Sequence, residues 1–232
     1  FARAHNLRLA VRGGGHNVAG LAVCDDGLMI DLSPLKGIRV DPTAHRARAQ
    51  PGVVWGDLDR ETQVFGLATP GGFVSTTGIA GLTLGGGFGW LSRKHGFTVD
   101  NLLAADVVTA DGRFLTASSE ENTDLFWAVR GGGGNFGVIT SFQYRLHPVG
   151  PTVVAGLMLY PMDQARDVLR FYRQFSAAAP DALGTMAILR HAPRAPFLPP
   201  EIHGKAVVGI VVCYHGDVAE GERVVRPLKE FG

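Results

Sequence analysis

A histidine that follows three consecutive glycines is the first feature of this sequence with evident chemical potential. Residues 12–17 read Arg-Gly-Gly-Gly-His-Asn, and the pattern of residues 7–11 predicts a strand that runs into the glycines. Glycines in a turn leave consecutive backbone N–H groups uncovered, and such a nest binds an anionic group such as a pyrophosphate. A lone His16 would more often be a surface residue beside a tight turn. The run as a whole favours a ligand-binding loop that ends at His16.

A second glycine-rich segment lies about sixty residues further on. Residues 78–81 read Gly-Ile-Ala-Gly, and residues 85–89 read Gly-Gly-Gly-Phe-Gly. Each glycine in a regular element costs roughly 1 kcal/mol relative to alanine. A flat ligand or a phosphate lying on the backbone would explain that cost. A glycine-rich loop without a chemical role is the alternative.

A third segment, residues 132–137, matches the letters of the dinucleotide-binding motif G-x-G-x-x-G. That motif needs a strand before it and a helix after it. Here the predicted order is reversed, because a helix precedes the glycines and a strand follows them. The sequence therefore argues against a nicotinamide-binding Rossmann domain, while a loop that faces a phosphate or an adenine stays open.

The fourth segment is the polar stretch at residues 93–101, directly after the second glycine cluster. Lys94, His95 and Asn101 are each able to face a ligand. For each of them taken singly, a place in a solvated loop is an equally good interpretation.

Composition supports a ligand site built from backbone and excludes several other classes. The chain has 32 glycines among 232 residues, against a usual fraction of about 7%, and they cluster between well-patterned strands and helices. The net charge of +1 comes without a basic stripe, so nucleic acid is not an expected partner. The apolar runs are too short to span a membrane, and no metal-binding motif is present. Two cysteines do not make a disulfide framework, and a reducing cytoplasm is the expected location.

The order of predicted elements divides the chain near residues 148–151. Residues 1–149 read as mixed α and β, whereas the glycine runs stop in residues 150–232. There, a strand–helix–strand–strand–helix order predicts an antiparallel sheet with helices on one face. Residues 1–6 read as the end of a helix, and the chain stops directly after another predicted helix, so we expect a fragment that lacks both termini of a longer protein.

Two local predictions concern helices in the first part. Residues 54–65 predict a helix with Val54, Leu58 and Phe65 on one face. The run Ser-Ser-Glu-Glu at residues 118–121 predicts a capping box that opens a helix ending near Val129.

The four segments in this order resemble the FAD-linked oxidases of the vanillyl-alcohol oxidase and p-cresol methylhydroxylase (PCMH) type, and the berberine-bridge-enzyme-like subgroup is the most similar one. The resemblance covers residues 7–148 specifically and the rest more weakly. It implies an α+β fold: a PCMH-type FAD-binding domain, residues 1–149, followed by the start of the antiparallel substrate-binding domain, residues 150–232.

The resemblance also implies how FAD is held. In the family, the first glycine loop wraps the pyrophosphate, and its histidine, here His16, bonds covalently to the flavin 8α-methyl group. Many members add a bond from a cysteine to flavin C6, but the matching position here is Val74. A single covalent bond through His16 is therefore implied. Thr77 matches the position that gates oxygen access to the flavin.

The cofactor-binding prediction extends over all four segments, and no metal ligand is predicted. The predicted cofactor-binding residues are Arg12, Gly13, Gly14, Gly15, His16, Asn17, Val74, Thr77, Gly78, Ile79, Gly81, Gly85, Gly86, Gly89, His95, Asn101, Gly137, Val138 and Ile139.

The catalytic base is not identified by the sequence. Tyr160, Tyr214 and His215 are candidates by sheet position alone, and a packing role competes for each of them. Phe88 and Trp90 would line the flavin face or belong to the core.

The activity that the resemblance implies is FAD-dependent oxidation of a small molecule. A hydride passes from an alcohol, a sugar or a secondary metabolite to flavin N5, and O₂ reoxidises the flavin and gives H₂O₂. The alternatives are a flavin dehydrogenase with a non-oxygen acceptor and a flavin-binding protein without turnover.

Overall fold

A computed structural model describes residues 1–231 of the chain, which forms two compact units, Phe1–Pro151 and Thr152–Gly232. Both units mix helices with antiparallel sheet, so the predicted α+β class is confirmed. Cys24 and Cys213 are both free thiols. Within the described residues, no helix has the length and apolarity that crossing a bilayer would need.

The first unit is built from short strands with helices inserted between them. Its strands are β1 (Arg8–Arg12), β2 (Gly27–Asp31), β3 (Ile38–Asp41), β4 (Arg46–Ala49), β5 (Leu67–Ala68), β6 (Leu102–Val108), β7 (Phe114–Ser118), β8 (Val138–Arg145) and β9 (His147–Pro148). Its α-helices are α1 (Trp55–Gln63), α2 (Ile79–Leu84), α3 (Ser92–His95) and α4 (Thr123–Val129), and 3-10 turns cover Thr98–Asn101 and Gly133–Phe136.

A five-stranded antiparallel sheet, in the order β3-β4-β8-β6-β7, organises this unit. Its core combines Phe142 and Tyr144 of β8 with Trp55 and Leu58 of α1 and Ile79 of α2, each at most 1% exposed. Full burial of one such side chain contributes about 1.5–3 kcal/mol. Two smaller pairs accompany this sheet, β1 parallel to β2 and β5 antiparallel to β9.

Helix starts and ends in the first unit differ from the predictions. Residues 1–6 form turns instead of a helix end, and Asn6 has a left-handed backbone conformation with φ 51°. Ser118 ends β7, and its hydroxyl accepts the backbone N–H groups of Glu120 and Glu121. The predicted capping box is therefore wrong, because that hydroxyl closes a turn and α4 begins five residues later.

The second unit is a three-stranded antiparallel sheet with two helices. It comprises β10 (Val154–Pro161), α5 (Ala165–Ala178), β11 (Leu183–His191), β12 (Ala206–Tyr214) and α6 (Val218–Lys229), with 3-10 turns at Met162–Gln164 and Pro200–Ile202. The strand order is β10-β12-β11. Alternate residues of β12, including Ile210 and Val212, pack with Val168 of α5 and with Val225 and Leu228 of α6. The predicted antiparallel sheet with helices on one face is thus confirmed.

Candidate functional site

The first glycine loop touches the second glycine segment through backbone atoms alone. A Cβ placed on Gly14 would lie 2.5 Å from the N and Cα of Gly78, and a Cβ on Gly78 would lie 2.6 Å from the N of Gly14. Contacts below 3 Å are not adopted by real Cβ atoms, so a side chain at either position would push the two segments apart. The structure thus explains why both positions are glycine and brings together two segments that lie 64 positions apart.

The rest of the first loop is open to solvent. Gly15 has φ +70°, and a Cβ there would lie 3.2 Å from Arg12 Nε, so the guanidinium group of Arg12 lies against this glycine. His16 is exposed, and Asn17 Oδ1 accepts the backbone N–H of Leu21 at 2.9 Å. A positive guanidinium group beside uncovered loop amides is the arrangement expected of an anion-binding loop.

The second segment is fixed by backbone hydrogen bonds to the start of α1. The N–H of Trp55 donates to Thr77 O at 3.0 Å, and the N–H of Ile79 donates to Val53 O at 3.0 Å. The N–H of Thr77 in turn donates to Val74 O at 3.0 Å, which closes a turn. Val74 is 48% exposed, so its aliphatic side chain is accessible.

Helix α2 connects the four segments. Gly78 precedes α2 and contacts the first loop, and the two 3-10 turns, Thr98–Asn101 of the fourth segment and Gly133–Phe136 of the third, both lie against α2. A buried hydrogen bond of 2.7 Å between Thr83 Oγ1 of α2 and Tyr144 Oη of β8 ties the helix to the sheet. Burial raises the pKa of Tyr144, so its phenol stays neutral and keeps this bond.

Three glycines that pack with the second segment were missing from the predicted site: Gly71, Gly72 and Gly87. A Cβ on Gly89 would lie 1.8 Å from Gly71 O, and a Cβ on Gly87 would lie 2.4 Å from Thr98 Oγ1. Gly71 and Gly72 lie directly against the Trp55 indole. The Gly71-Gly72 doublet was a signal available in the sequence, but only the fold shows that it packs against the second glycine cluster.

Three buried polar atoms near these elements have no hydrogen-bond partner in the protein: Trp55 Nε1, Thr69 Oγ1 and Thr98 Oγ1. Buried polar groups are nearly always hydrogen-bonded to protein, water or a ligand. The combination of bare glycine backbone and unused hydrogen-bonding capacity fits a region that binds a flat polar cofactor.

The two side chains of the third segment, Asn135 and Phe136, are exposed, and the chain enters the core only after Gly137. Gly137 has φ +142°, and a Cβ there would lie 2.5 Å from Val108 O, so this position needs glycine. Ile139 is 4% exposed and belongs to the core of the first unit. Any contact of Ile139 with a cofactor would therefore be made by its backbone. The element order, with α4 before the glycines and β8 after them, agrees with the rejection of a Rossmann motif.

Three aromatic rings form an exposed group beside Val74. Phe73 packs edge-on against Phe88 at 5.5 Å and against Trp90 at 4.8 Å between ring centroids. Phe88 is 60% exposed, so it lies outside the core. A role of Phe88 and Trp90 at the flavin face stays a prediction.

The tyrosines considered as catalytic bases lie in the core of the second unit. Tyr160 Oη donates to Leu228 O of α6 at 2.9 Å, and Tyr214 packs against Gly221 of α6. Both side chains belong to the core cluster between sheet and helices, and burial raises both pKa values. His215 is 5% exposed. These positions indicate packing roles and leave the base unidentified.

Comparison with known proteins identifies the family. The family model described as FAD binding domain matches residues 1–118, which is half of the chain. An FAD-linked oxidoreductase of Dictyostelium discoideum is 36% identical over 232 residues, which cover all of this chain and 48% of that protein. The chain therefore spans about half the length of the curated relatives it matches.

Solved structures give the same result. The crystal structure of 6-hydroxy-D-nicotine oxidase from Arthrobacter nicotinovorans superposes with a TM-score of 0.88 at 32% identity, covering 100% of this chain and 49% of that one. BBE-like 28 from Arabidopsis thaliana superposes with a TM-score of 0.85 at 29% identity, covering 97% of this chain and 46% of that one. The chain therefore belongs to the FAD binding domain family, as a relative of the berberine-bridge-enzyme-like FAD-linked oxidoreductases, and its cofactor is FAD.

Proposed function

We propose that the chain is the FAD-carrying part of an oxidase that holds its flavin through a single covalent bond to His16. The observation that carries this proposal is the contact of Gly14 with Gly78, which places the exposed His16 at the end of a loop stripped of side chains. When bound, FAD supplies a two-electron acceptor for the hydride of the substrate. The residues of the chain bind and orient the cofactor.

Each part of the site has a proposed task. The amides of Gly13, Gly14 and Gly15 would bind the pyrophosphate, with the guanidinium group of Arg12 as a nearby positive charge. His16 would provide the imidazole nitrogen for the covalent bond. The accessible Val74 offers no nucleophile, which supports one bond instead of two. The fit rests on the bare backbone of the first two segments and on the unpartnered Trp55 Nε1.

The substrate is proposed to be a small organic molecule: an alcohol, a sugar or a secondary metabolite. Similarity to 6-hydroxy-D-nicotine oxidase makes 6-hydroxynicotine a suitable first compound to test. O₂ is the proposed electron acceptor, and H₂O₂ is the proposed product. A cytoplasmic location stays a prediction.

Acid precipitation tests the covalent bond directly. We expect the yellow flavin to stay in the acid pellet of the holoprotein, and to wash out completely from a His16→Ala variant reconstituted with FAD. His5→Ala, which removes an exposed histidine from the turn before β1, is the control and should keep its flavin. Flavin that leaves the wild-type pellet, or that stays in the His16→Ala pellet, contradicts the proposal.

A flavin dehydrogenase is the second candidate, because Thr77 does not decide between the two functions: a small threonine leaves room for O₂. Its hydroxyl departs from the aliphatic side chain usual at the position that matches the oxygen gate, and the residue is only partly buried. Stopped-flow mixing of the reduced protein with air-saturated buffer separates the two functions. Reoxidation at least as fast as turnover supports an oxidase, whereas reoxidation slower than turnover with an artificial dye identifies a dehydrogenase.

A further inference from the structure

The side-chain amide of Asn101 makes three hydrogen bonds close to the glycine cluster at residues 85–89. It is 2% exposed, and its Nδ2 donates to His95 O at 2.8 Å and to Phe97 O at 2.9 Å. Its Oδ1 lies 2.7 Å from Nε2 of His147. Because both amide hydrogens are already donated to carbonyls, Oδ1 is the acceptor in this third bond, and His147 Nε2 carries the hydrogen.

His147 also stacks on the imidazole of His95. The ring centroids are 3.9 Å apart and the planes differ by 19°. Burial, followed by the positive groups nearby, lowers the pKa of His147 to about 4. The groups that face it are His95 and Lys94 of α3, Arg145 of β8 and His45 from the turn between β3 and β4. Burial and Lys94 also lower the pKa of His95, so both rings are neutral at neutral pH.

The loop that Asn101 holds is in turn bonded to two glycines of the second segment. The N–H of Thr98 donates to Gly87 O at 2.9 Å, and the N–H of Val99 donates to Gly86 O at 3.0 Å. Gly86 and Gly87 both have positive φ, 103° and 71°, a conformation that needs external support because an unrestrained glycine samples many others. A continuous series of contacts therefore runs from β9 through Asn101 to these glycines.

We propose that His147 is a positioning residue for the cofactor site, acting through Asn101 on the backbone of Gly86 and Gly87. This inference rests on the proposed function, which places FAD against the glycine cluster at residues 85–89. His147 lies on β9 and not in any of the four glycine-rich or polar segments, so its contribution would be made without contact with the flavin.

The test measures FAD affinity in the absence of the covalent bond. In a His16→Ala background, the Kd of added FAD is determined from flavin fluorescence at pH 8. His147→Phe keeps an aromatic ring for the stack but removes the Nε2–H donor, which leaves the buried Oδ1 of Asn101 without a hydrogen bond. We therefore expect the Kd of FAD to rise about tenfold. His147→Gln retains an N–H donor for Asn101 and should raise the Kd less than about threefold.

The same Kd measured at a second pH separates a positioning role of His147 from a general loss of structure. Between pH 8 and pH 4, protonation of His147, whose pKa is about 4, puts positive charge into the stack, so we expect the Kd to rise with His147 present and to rise clearly less in His147→Gln. The circular dichroism of every variant is recorded in parallel. If His147→Phe does not fold, the His147→Gln comparison across pH decides.

Two outcomes overturn the inference. One is a Kd for His147→Phe within twofold of the parent, and the other is an equal pH dependence with histidine and with glutamine at position 147. Gly14→Ala in the same background distinguishes failure of the proposed function. If Gly14→Ala binds FAD normally, the proposed cofactor placement is wrong; if Gly14→Ala alone loses FAD, only the role of His147 is wrong.

Discussion

In the first unit, the two glycine segments meet through backbone atoms, whereas the second unit packs apolar side chains between a sheet and two helices. Gly14 and Gly78 have no room for a methyl group. Ile210 and Val212, by contrast, fill space with branched side chains in a core cluster to which both helices contribute. The first kind of contact excludes almost every substitution, while the second tolerates changes that conserve volume. Substitutions in the second unit should therefore change mainly the free energy of unfolding, and substitutions at the glycine contact of the first unit should change mainly the affinity for FAD.

The largest effect on stability is expected in the second unit. Leu183→Ala removes a fully buried side chain, 0% exposed, and should lower the free energy of unfolding by about 2–5 kcal/mol. Denaturant unfolding measures the loss. Below the unfolding transition, the FAD content should be unchanged, since this side chain belongs to the core cluster of the second unit. Loss of FAD from a folded Leu183→Ala variant would contradict this contrast between the two units.

A single methyl group in the first unit should affect cofactor binding instead. Gly14→Ala forces backbone against backbone, which costs about 1–3 kcal/mol and corresponds to an affinity for FAD that is about 5-fold to 150-fold weaker. Flavin fluorescence titration of the apoprotein gives the value.

Gly81→Ala is the matched control within α2. A Cβ at Gly81 meets nothing within 4 Å. Because alanine is the better helix former, we expect the apoprotein to gain up to about 1 kcal/mol of stability. Weaker FAD binding by Gly14→Ala together with a more stable Gly81→Ala would sharpen the contrast. A less stable Gly81→Ala would show that this helical glycine is constrained by something other than space.

Tyr160→Phe tests whether the second unit contributes chemistry at this position. The variant loses the hydrogen bond to Leu228 O, and we expect about 1 kcal/mol lower stability. The rate of flavin reduction by a substrate should stay within twofold of the wild type. A large drop in that rate at unchanged stability would return Tyr160 to the candidates for the catalytic base.

The smallest expected effect is a shift of stability with pH that originates at His147. Its folded pKa of about 4 lies below the value near 6.5 of an unfolded histidine, so the unfolded chain takes up the proton first. The contribution of His147 to stability is therefore complete above about pH 7 and is lost as the pH falls from about 6.5 toward 4. Urea midpoints at pH 7, 5.5 and 4.5 measure it, and His147→Gln should show a flatter profile than the wild type.

The sequence predicted well the strands, whose pattern depends on hydrophobicity alone. The strand predicted after the third glycine run is β8, and the strand–helix–strand–strand–helix order predicted for residues 150–232 is the observed order of β10, α5, β11, β12 and α6. The capping box failed because Ser118 satisfies two backbone N–H groups in a turn, which the same letters allow. Phe65 was expected on the buried face of α1 but is 49% exposed, because the helix ends at Gln63.

The sequence predicted which segments belong to the candidate site, but not how they pack together. Clustered glycines revealed where the backbone must be bare, but not that α2 brings the clusters together. The alternation of side chains along a strand assigns Tyr160 and Tyr214 to a face of the sheet, but it does not show which face the helices cover. His147 carried no signal, since its partner Asn101 lies 46 positions away in the sequence.

The six-residue helix α2 also has a consequence for the order in which the protein matures. The elements that meet at this helix come from the first loop, the turn Thr98–Asn101 and the turn Gly133–Phe136, so most of the first unit has to be synthesised and folded before they can meet. We expect flavin uptake to be a late event in refolding, slower than the recovery of secondary structure. Cofactor incorporation would then report when the polypeptide has completed its long-range contacts.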